Sequence, residues 1–551
     1  MKQKKINKRS NKTSKKQISK IKDPSVAYFC MEYGLDNSFQ IYSGGLGILA
    51  GDIIKAAKDT KRPMIGIGIL WRHGYARQAF TPDGKLIECY NRNEYEFLKD
   101  TGVSVNVRIR GRQVKCKVWL CDCFNNAPLL LLDADLPENP DRFLTCNLYG
   151  GNNEDRIAQE IILGIGGVRA LRALGFEPDI YHFNDCHPLF ASLELIREKM
   201  DSDNENFSTA LAKTKEHIVF TTHTPVPAGN EKHSHELLQY MGAYNGLTYD
   251  QMLQLGGNPF NMAAAGLRVS KKASAVAQLH GITARKMWSW VKDGAEILAI
   301  TNGVHNGTWQ SPEIRKAMAG KADLWEVHQA HKRALIAEIK NTTGQELDED
   351  ILLIGFARRV TGYKRHTLIF SSEKVIKPLL KGKKLAIVFA GKAHPHDLGG
   401  RKMIEEILAI TKKMPESVVF LPNYDMRIGA LLTRGCDIWL NNPTRPHEAS
   451  GTSGMKAAMN GVLNCSVLDG WWDEGCKNGK NGWQFGDKYE GPNADKIDSS
   501  GLYKVLCDEV IPTYYKDHKK WIKMMKASIE SSQEQFSAKR MVDEYYKYLY
   551  R

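Results

Sequence analysis

The stretch Glu448–Gly461, EASGTSGMKAAMNG, decides how this chain is read. A carboxylate is followed by Ser450, Gly451, Thr452, Ser453 and Gly454, and then a single lysine, Lys456, heads an Ala/Met run of helical composition. Small residues before a helix start leave backbone N–H groups free and let a ligand approach the main chain, which suits an anion such as phosphate. Met455, Ala457, Ala458 and Met459 crowd Lys456 with apolar groups, and a desolvated amine is neutral often enough to form a Schiff base. Read alone, the same letters also spell a glycine-rich turn with one solvated lysine. The surroundings of the loop therefore carry the decision.

Outward from it, strands and helices alternate. Ile351–Phe356, Leu385–Ala390, Val418–Leu421 and Asp437–Leu440 are short apolar runs, each followed by polar or glycine-containing loops. Earlier in the chain Val26–Met31, Pro63–Trp71, Asp179–Phe183, His217–Thr222 and Ala295–Thr301 read the same way, and helices are expected over Ile48–Lys58, Arg156–Leu174 and Leu324–Lys340. Alternating polar and apolar positions between 83 and 133 predict an antiparallel insertion. The expected fold class is α/β, with two Rossmann-like lobes facing a central cleft. The division runs as a basic tail at 1–23, a first lobe at 24–302 and a second at 303–551, whose last helices pack back across the lobes.

A chain of 551 residues with 42% apolar content has room for two cores. Residues 1–22 hold ten Lys/Arg and no acid, so subtracting ten from the formal +15 leaves only +5 for the remainder. That distribution speaks against a nucleic-acid partner for the body of the protein. No run reaches the ~18–20 apolar residues of a membrane span, and the N-terminus lacks the apolar core of a secretory signal. Eleven scattered cysteines without a CxxC pair give no metal spacing and fit a reducing, cytoplasmic setting.

The ends of the strands concentrate groups that bind anions. Tyr42-Ser43-Gly44-Gly45-Leu46-Gly47 is a second glycine loop at a helix start, and Arg358, Arg359, Lys364 and Arg365 follow one strand closely. Two anion sites and one lysine would fit pyridoxal phosphate together with a second phosphate.

From Val26 to Trp472 the chain resembles the glycogen, starch and α-glucan phosphorylases, in particular their short bacterial members. The resemblance is carried by MEYGL with IYSGGLGILAGD, LYGG with GIGGVRAL, HFNDCHP, TTHTPVPAGNE, TNGVHNGTW, GFARRVTGYKRH, VFAGKAHP, FLPNY and EASGTSGMKAAMNG. It implies a GT-B type retaining glycosyltransferase. Such an enzyme uses pyridoxal 5′-phosphate and inorganic phosphate to release the terminal glucose of an α-1,4-glucan as glucose 1-phosphate.

Position by position, the resemblance makes Lys456 the cofactor lysine, and Arg359 and Lys364 cations around the cofactor and substrate phosphates. Tyr424, Thr452 and Ser453 become cofactor contacts, and Gly44 and Gly45 with Leu46 the loop facing the phosphates. Asn302, Glu448, Ser450 and Gly451 become sugar contacts, and His223 the histidine beside the scissile glucosyl unit. A homodimer is compatible with the family, whereas nothing in the tail implies phosphorylation or nucleotide control. One departure stands out: family members from animals and plants usually carry asparagine where this chain has Gly454. Two other readings share parts of the pattern. A sugar-nucleotide-dependent glucan synthase would have no use for Lys456, and a catalytically silent glucan-binding protein would use Trp471, Trp472 and Trp483 as stacking platforms.

Overall fold

The computed structural model describes residues 23–81, 84–226 and 230–551; the basic tail at 1–22 lies outside them. Two large sheets organise the described residues. In the first, Val26–Phe29 lies centrally, between Ile180–Asn184 on one side and Met64–Ile69 on the other. Parallel pairing continues outward through Ile218–Thr221, Lys272–Ala275 and Glu296–Ala299. Val26–Phe29, Met64–Ile69 and Ile218–Thr221 are buried on both faces and apolar almost throughout, as parallel strands covered by helices must be, whereas the edge strand Glu296–Ala299 is only partly buried.

The opposite edge changes direction. Leu129–Asp133 pairs parallel to Met64–Ile69 and antiparallel to Arg112–Cys121, which pairs in turn with Lys99–Ile109. The antiparallel segment thus extends the main sheet and is no separate appendage. Antiparallel pairing also begins earlier than the sequence indicates, in a hairpin of Arg77–Phe80 with Leu86–Cys89. This hairpin reaches the second lobe. Phe80 packs edge-on against Phe420, Arg401 donates to the Leu86 carbonyl at 3.0 Å, and Arg401 also pairs with Glu88.

Six parallel strands form the second sheet, in the order Val418–Leu421, Leu385–Ala390, Leu352–Ala357, Ile438–Asn441, Leu463–Val467 and Gly482–Phe485. Apolar clusters cover both of its faces. The α/β architecture of two Rossmann-like lobes is therefore what the chain adopts. His518–Ser532 packs Trp521, Met524, Met525 and Ile529 into the second core. Beyond it, Met541, Val542, Tyr545, Tyr546, Leu549 and Tyr550 enter the core of the first lobe, where the Tyr550 hydroxyl meets His182 Nδ1 at 2.8 Å.

Two helices differ from their reading. The glycine-loop helix begins at Gly45, ahead of Ile48, because glycine at 44 and 45 offers no side chain to obstruct the turn. The helix expected over 156–174 starts at Asn153, where Asn152 and Asp155 cap it reciprocally, and loosens into a π turn at Ile162–Gly166.

One close approach fixes the glycine-loop helix against the segment that follows the first strand. A Cβ on Gly51 would stand 2.0 Å from the Gly34 carbonyl oxygen, and the Gly34 N–H already donates to the Gly47 carbonyl at 2.7 Å. Backbone cannot yield as a long side chain can. Gly51→Ala is expected to destabilise the protein by ~1–3 kcal/mol or more, read as a lowered denaturant midpoint; a stability equal to wild type would refute the packing argument.

Candidate active site

The glycine loop is braced from beneath by a buried acid. Glu32 Oε2 accepts the Ser43 N–H at 2.6 Å and the Gly44 N–H at 3.2 Å, while the Tyr149 hydroxyl donates to Oε1 at 2.8 Å. Burial pushes the Glu32 carboxyl up, and these donors oppose that shift. The N–H groups of Gly45, Leu46 and Gly47 accordingly have no acceptor among the described residues. A Cβ on Gly44 or Gly45 would meet nothing within 4 Å, so the loop is open on its outer side.

Asp52, one to two turns along this 15-residue helix, is buried and accepts the Trp309 indole N–H at 3.0 Å on both oxygens. The face of the same indole carries Lys456, whose Nζ lies 3.4 Å from the ring centroid. Burial lowers the Lys456 amine to about 8, with Asp52 pulling the other way. Lys456 stands on the short helix Ser453–Ala458, where the N–H groups of Ser453, Gly454 and Met455 have no acceptor among the described residues. Gly454, the departure noted in the sequence, has a local reason. A Cβ there would lie 2.5 Å from Asn464 Oδ1 and 3.0 Å from the Trp471 ring.

Glu448 lies at the other end of the loop. Its Oε2 takes Arg358 Nη2 at 2.9 Å and also pairs with Lys364. Burial raises the Glu448 carboxyl, but the two cations outweigh it and hold it below the usual carboxylate range. Its N–H donates to Asp469 Oδ2 at 2.9 Å, and burial pushes that acid up to about 8. Ser450 is buried, with Gly451 and Thr452 half-exposed beside it. The four clustered cations thus divide by role. Arg365 is structural, bonded to the Asn442 and Pro443 carbonyls and to Asp495 and Asp498. Arg359 is exposed and within electrostatic range of Tyr75 and His394. Arg358 keeps one nitrogen, Nη1, buried and without a hydrogen-bond partner among the described residues.

His223 follows the strand Ile218–Thr221, with Nε2 against Asn184 Oδ1 at 2.6 Å. Burial and the nearby His280 lower it to about 3, so the imidazole is neutral across the physiological range. Asn302 is buried, its Oδ1 has no hydrogen-bond partner among the described residues, and its backbone carbonyl accepts from Arg540. Tyr424 precedes the helix Met426–Gly435, and burial pushes its phenol up to about 12. Between the lobes lies a cavity of 690 Å³, bounded by Tyr149–Glu154, Arg156 and Leu237 on one side and by His394 and His396 on the other.

The structure brings Lys456, Thr452 and Ser453 into one loop with Glu448, and ties that loop to the glycine helix through Trp309. Asp52, Trp309 and Glu32 are the participants that sequence reasoning did not single out, and Arg358 was named there only as one of a run of cations. Arg358 had a visible signal, since it adjoins Arg359 in the same motif. Trp471, Trp472 and Trp483 are buried at 2%, 1% and 0% exposure, which removes them as glucan platforms.

A family model described as carbohydrate phosphorylase matches residues 312–475. The maltodextrin phosphorylase of Thermococcus litoralis is 41% identical over 94% of this chain and 70% of its own length. The glycogen phosphorylase of Mycobacterium tuberculosis strain H37Rv is 36% identical over 95% of this chain and 70% of its own length. That of Aquifex aeolicus is 34% identical, over 95% and 86%.

Removing Lys364 would leave a buried carboxylate with one cation in place of two. Lys364→Met is expected to cost ~3–5 kcal/mol. Because the folded Glu448 carboxyl is held low, its stabilising effect is present above the unfolded value near ~4.3 and is lost as pH falls through the folded one. The variant's acid unfolding midpoint should therefore move to higher pH; an unchanged acid limb would contradict the pairing.

Proposed function

Since the chain belongs to the carbohydrate phosphorylase family, we propose that it is an α-1,4-glucan phosphorylase, transferring the terminal glucose of a glycogen- or maltodextrin-type chain to inorganic phosphate with retention of configuration. The observation that carries this reading is Lys456, a buried amine lowered to about 8 beside backbone N–H groups that have no acceptor.

These residues fit pyridoxal 5′-phosphate. Lys456 would hold its aldehyde end, the N–H groups of Ser453, Gly454 and Met455 with the unpartnered Arg358 Nη1 would take its phosphate, and Tyr424 would flank it. Bound there, the cofactor supplies a phosphate that exchanges a proton with the substrate phosphate.

The chain's own groups then divide the work. Two phosphates a few ångströms apart repel, and Lys364, Arg359 and the N–H groups of Gly45 and Leu46 offset that repulsion. Glu448, kept ionised by Arg358 and Lys364, accepts hydrogen bonds from sugar hydroxyls. Ser450 and Gly451 border the sugar beside it. The unpartnered Asn302 Oδ1 offers a further acceptor, and neutral His223 serves as a hydrogen-bonding group and not as an acid. The 690 Å³ cavity has room for the rest of the glucan chain. Arg359, exposed and within electrostatic range of His394, would turn inward toward incoming phosphate. A lobe boundary at 302/303 accompanies this reading, as does work in the cytoplasm.

Incubation with phosphate and maltodextrin should yield glucose 1-phosphate, in an amount that depends on pyridoxal phosphate. Lys456→Ala should abolish both cofactor retention and product while leaving the circular dichroism spectrum intact; wild-type turnover in that variant would end the assignment. Arg359→Ala should raise the KM for phosphate far more than that for glucan, and equal losses would remove it from the phosphate site.

Capture of pyridoxal phosphate by the cofactor-free protein needs a neutral amine. With Lys456 near 8 the neutral fraction is about one tenth at pH 7 and about nine tenths at pH 9. The rate should rise about tenfold over that interval and then level. A rate still climbing tenfold per pH unit beyond 9 would show an ordinary exposed lysine.

A further inference from the structure

Beside the 690 Å³ cavity, the first lobe buries a second set of ionisable groups that the proposed reaction does not use. Arg156 reaches the cavity, and its Nε lies 3.1 Å from Glu231 Oε1 and 3.2 Å from Glu160 Oε1. His233 directs Nε2 at the same two acids, 3.5 Å from Glu231 Oε1 and 3.9 Å from Glu160 Oε2. On the far side of Glu231, Cys186 Sγ stands 3.9 Å from Oε2. The donor atoms of Glu160, Glu231 and His233 all lie within 4.8 Å of one another, as do those of Cys186, His187 and Glu231.

The set is incomplete in two respects. Among the described residues neither Glu160 oxygen makes a well-formed hydrogen bond, and His233 Nε2 and His187 Nδ1 have no hydrogen-bond partner, although these residues are only 0%, 5% and 7% exposed. Such orphaned buried groups are costly. Charge is also unbalanced. Asp185 adjoins Glu231 and Arg156 electrostatically, so three carboxylates face one guanidinium, a deficit of two positive charges when all are ionised. Two protons or one divalent cation would restore neutrality.

Geometry favours the cation. The approaches of His233 are too long for hydrogen bonds. They are close to the ~3.3–3.5 Å that separates neighbouring donors around a tetrahedral zinc with bonds near 2.0–2.1 Å. We propose that Glu160, Glu231 and His233 form a binding site for a divalent cation of the zinc type, with water in its fourth position. An imidazole donor favours zinc over magnesium or calcium, which take oxygen ligands.

The site would have a mechanical role. A metal would tie Glu231 and His233 to the helix carrying Glu160. It would also stiffen the support under Tyr149, whose ring contacts Arg156 at 5.3 Å and His187 at 6.0 Å.

The test uses the full chain purified without chelator. Metal content is read by mass spectrometry, and chelator-dialysed protein is titrated with ZnCl₂ or MgCl₂ by calorimetry and thermal unfolding. One zinc per chain, a raised Tm with ZnCl₂ alone, and affinity weakened on the order of 100-fold in His233→Ala and Glu160→Gln would support the site. Circular dichroism of the metal-free variants checks that they fold, and the wild-type titration decides the matter if they do not. Failure of wild type to retain zinc or to respond to it, or wild-type affinity in folded His233→Ala, would overturn the proposal and leave protons as the neutralising charge.

Discussion

The hydrogen bond from the Trp309 indole to Asp52 is the contact on which the site's arrangement depends. Asp52 rides on the helix that begins at the glycine loop, Trp309 follows the segment joining the lobes, and Lys456 rests on the face of that indole. One side chain thus registers the glycine loop against the lysine loop. The surrounding seal is apolar, with Tyr42 and Ile48 from the first lobe meeting Val304, Met426, Met455 and Met459. Dry surroundings strengthen the bond and lower the amine together, since both effects come from excluding water. A shift of the lobes that wetted Trp309 would loosen the registration and raise Lys456 toward its ordinary value.

Charge near the cleft is handled by burial more than by number. Glu448 stays ionised because two cations share one of its oxygens, while Asp469, a hydrogen bond away from its backbone, is pushed up to about 8 by burial and by Glu448 itself. One of the two neighbouring acids can therefore carry the negative charge without the other doing so. The carboxylate that remains charged is the one with a sugar-facing role in the proposed reaction. Arg358 fixes Glu448 with one nitrogen, while its Nη1 has no hydrogen-bond partner among the described residues.

Much of this was legible in the letters. Short apolar runs at a βα rhythm gave the two-lobe architecture, because parallel strands covered on both faces leave little room for polar residues. EASGTSGMKAAMNG and the glycine loop announced helix starts with free backbone N–H groups, and among the described residues those N–H groups have no acceptor. What the sequence concealed depended on partners far away in the chain. Glu32 reads as an ordinary acid until Ser43, Gly44 and Tyr149 converge on it, and Asp52 as a solvated helix position until Trp309, 257 residues later, takes its carboxylate. Arg365 shows the converse error: in a run of cations it looked like phosphate chemistry, yet its bonds to Asn442, Pro443 and Asp498 are structural. Gly454 was a departure from a family habit until Asn464 and Trp471 were seen to fill the space.

The lobes are clamped by exchanges that run in opposite directions. The first lobe sends the hairpin of Arg77–Phe80 and Leu86–Cys89 onto the second, where Leu86 enters its core and Gln78 bonds Asn423 and the Ala393 carbonyl. After passing through the second lobe, the chain returns Met541 to Tyr550 to the core of the first. A hinge held at one point could open widely, whereas two reciprocal attachments restrict the lobes to small displacements. That restriction suits phosphorolysis. Water competes with phosphate for the same electrophilic carbon, so a cleft that stays narrow while a glucan slides through it favours transfer over hydrolysis.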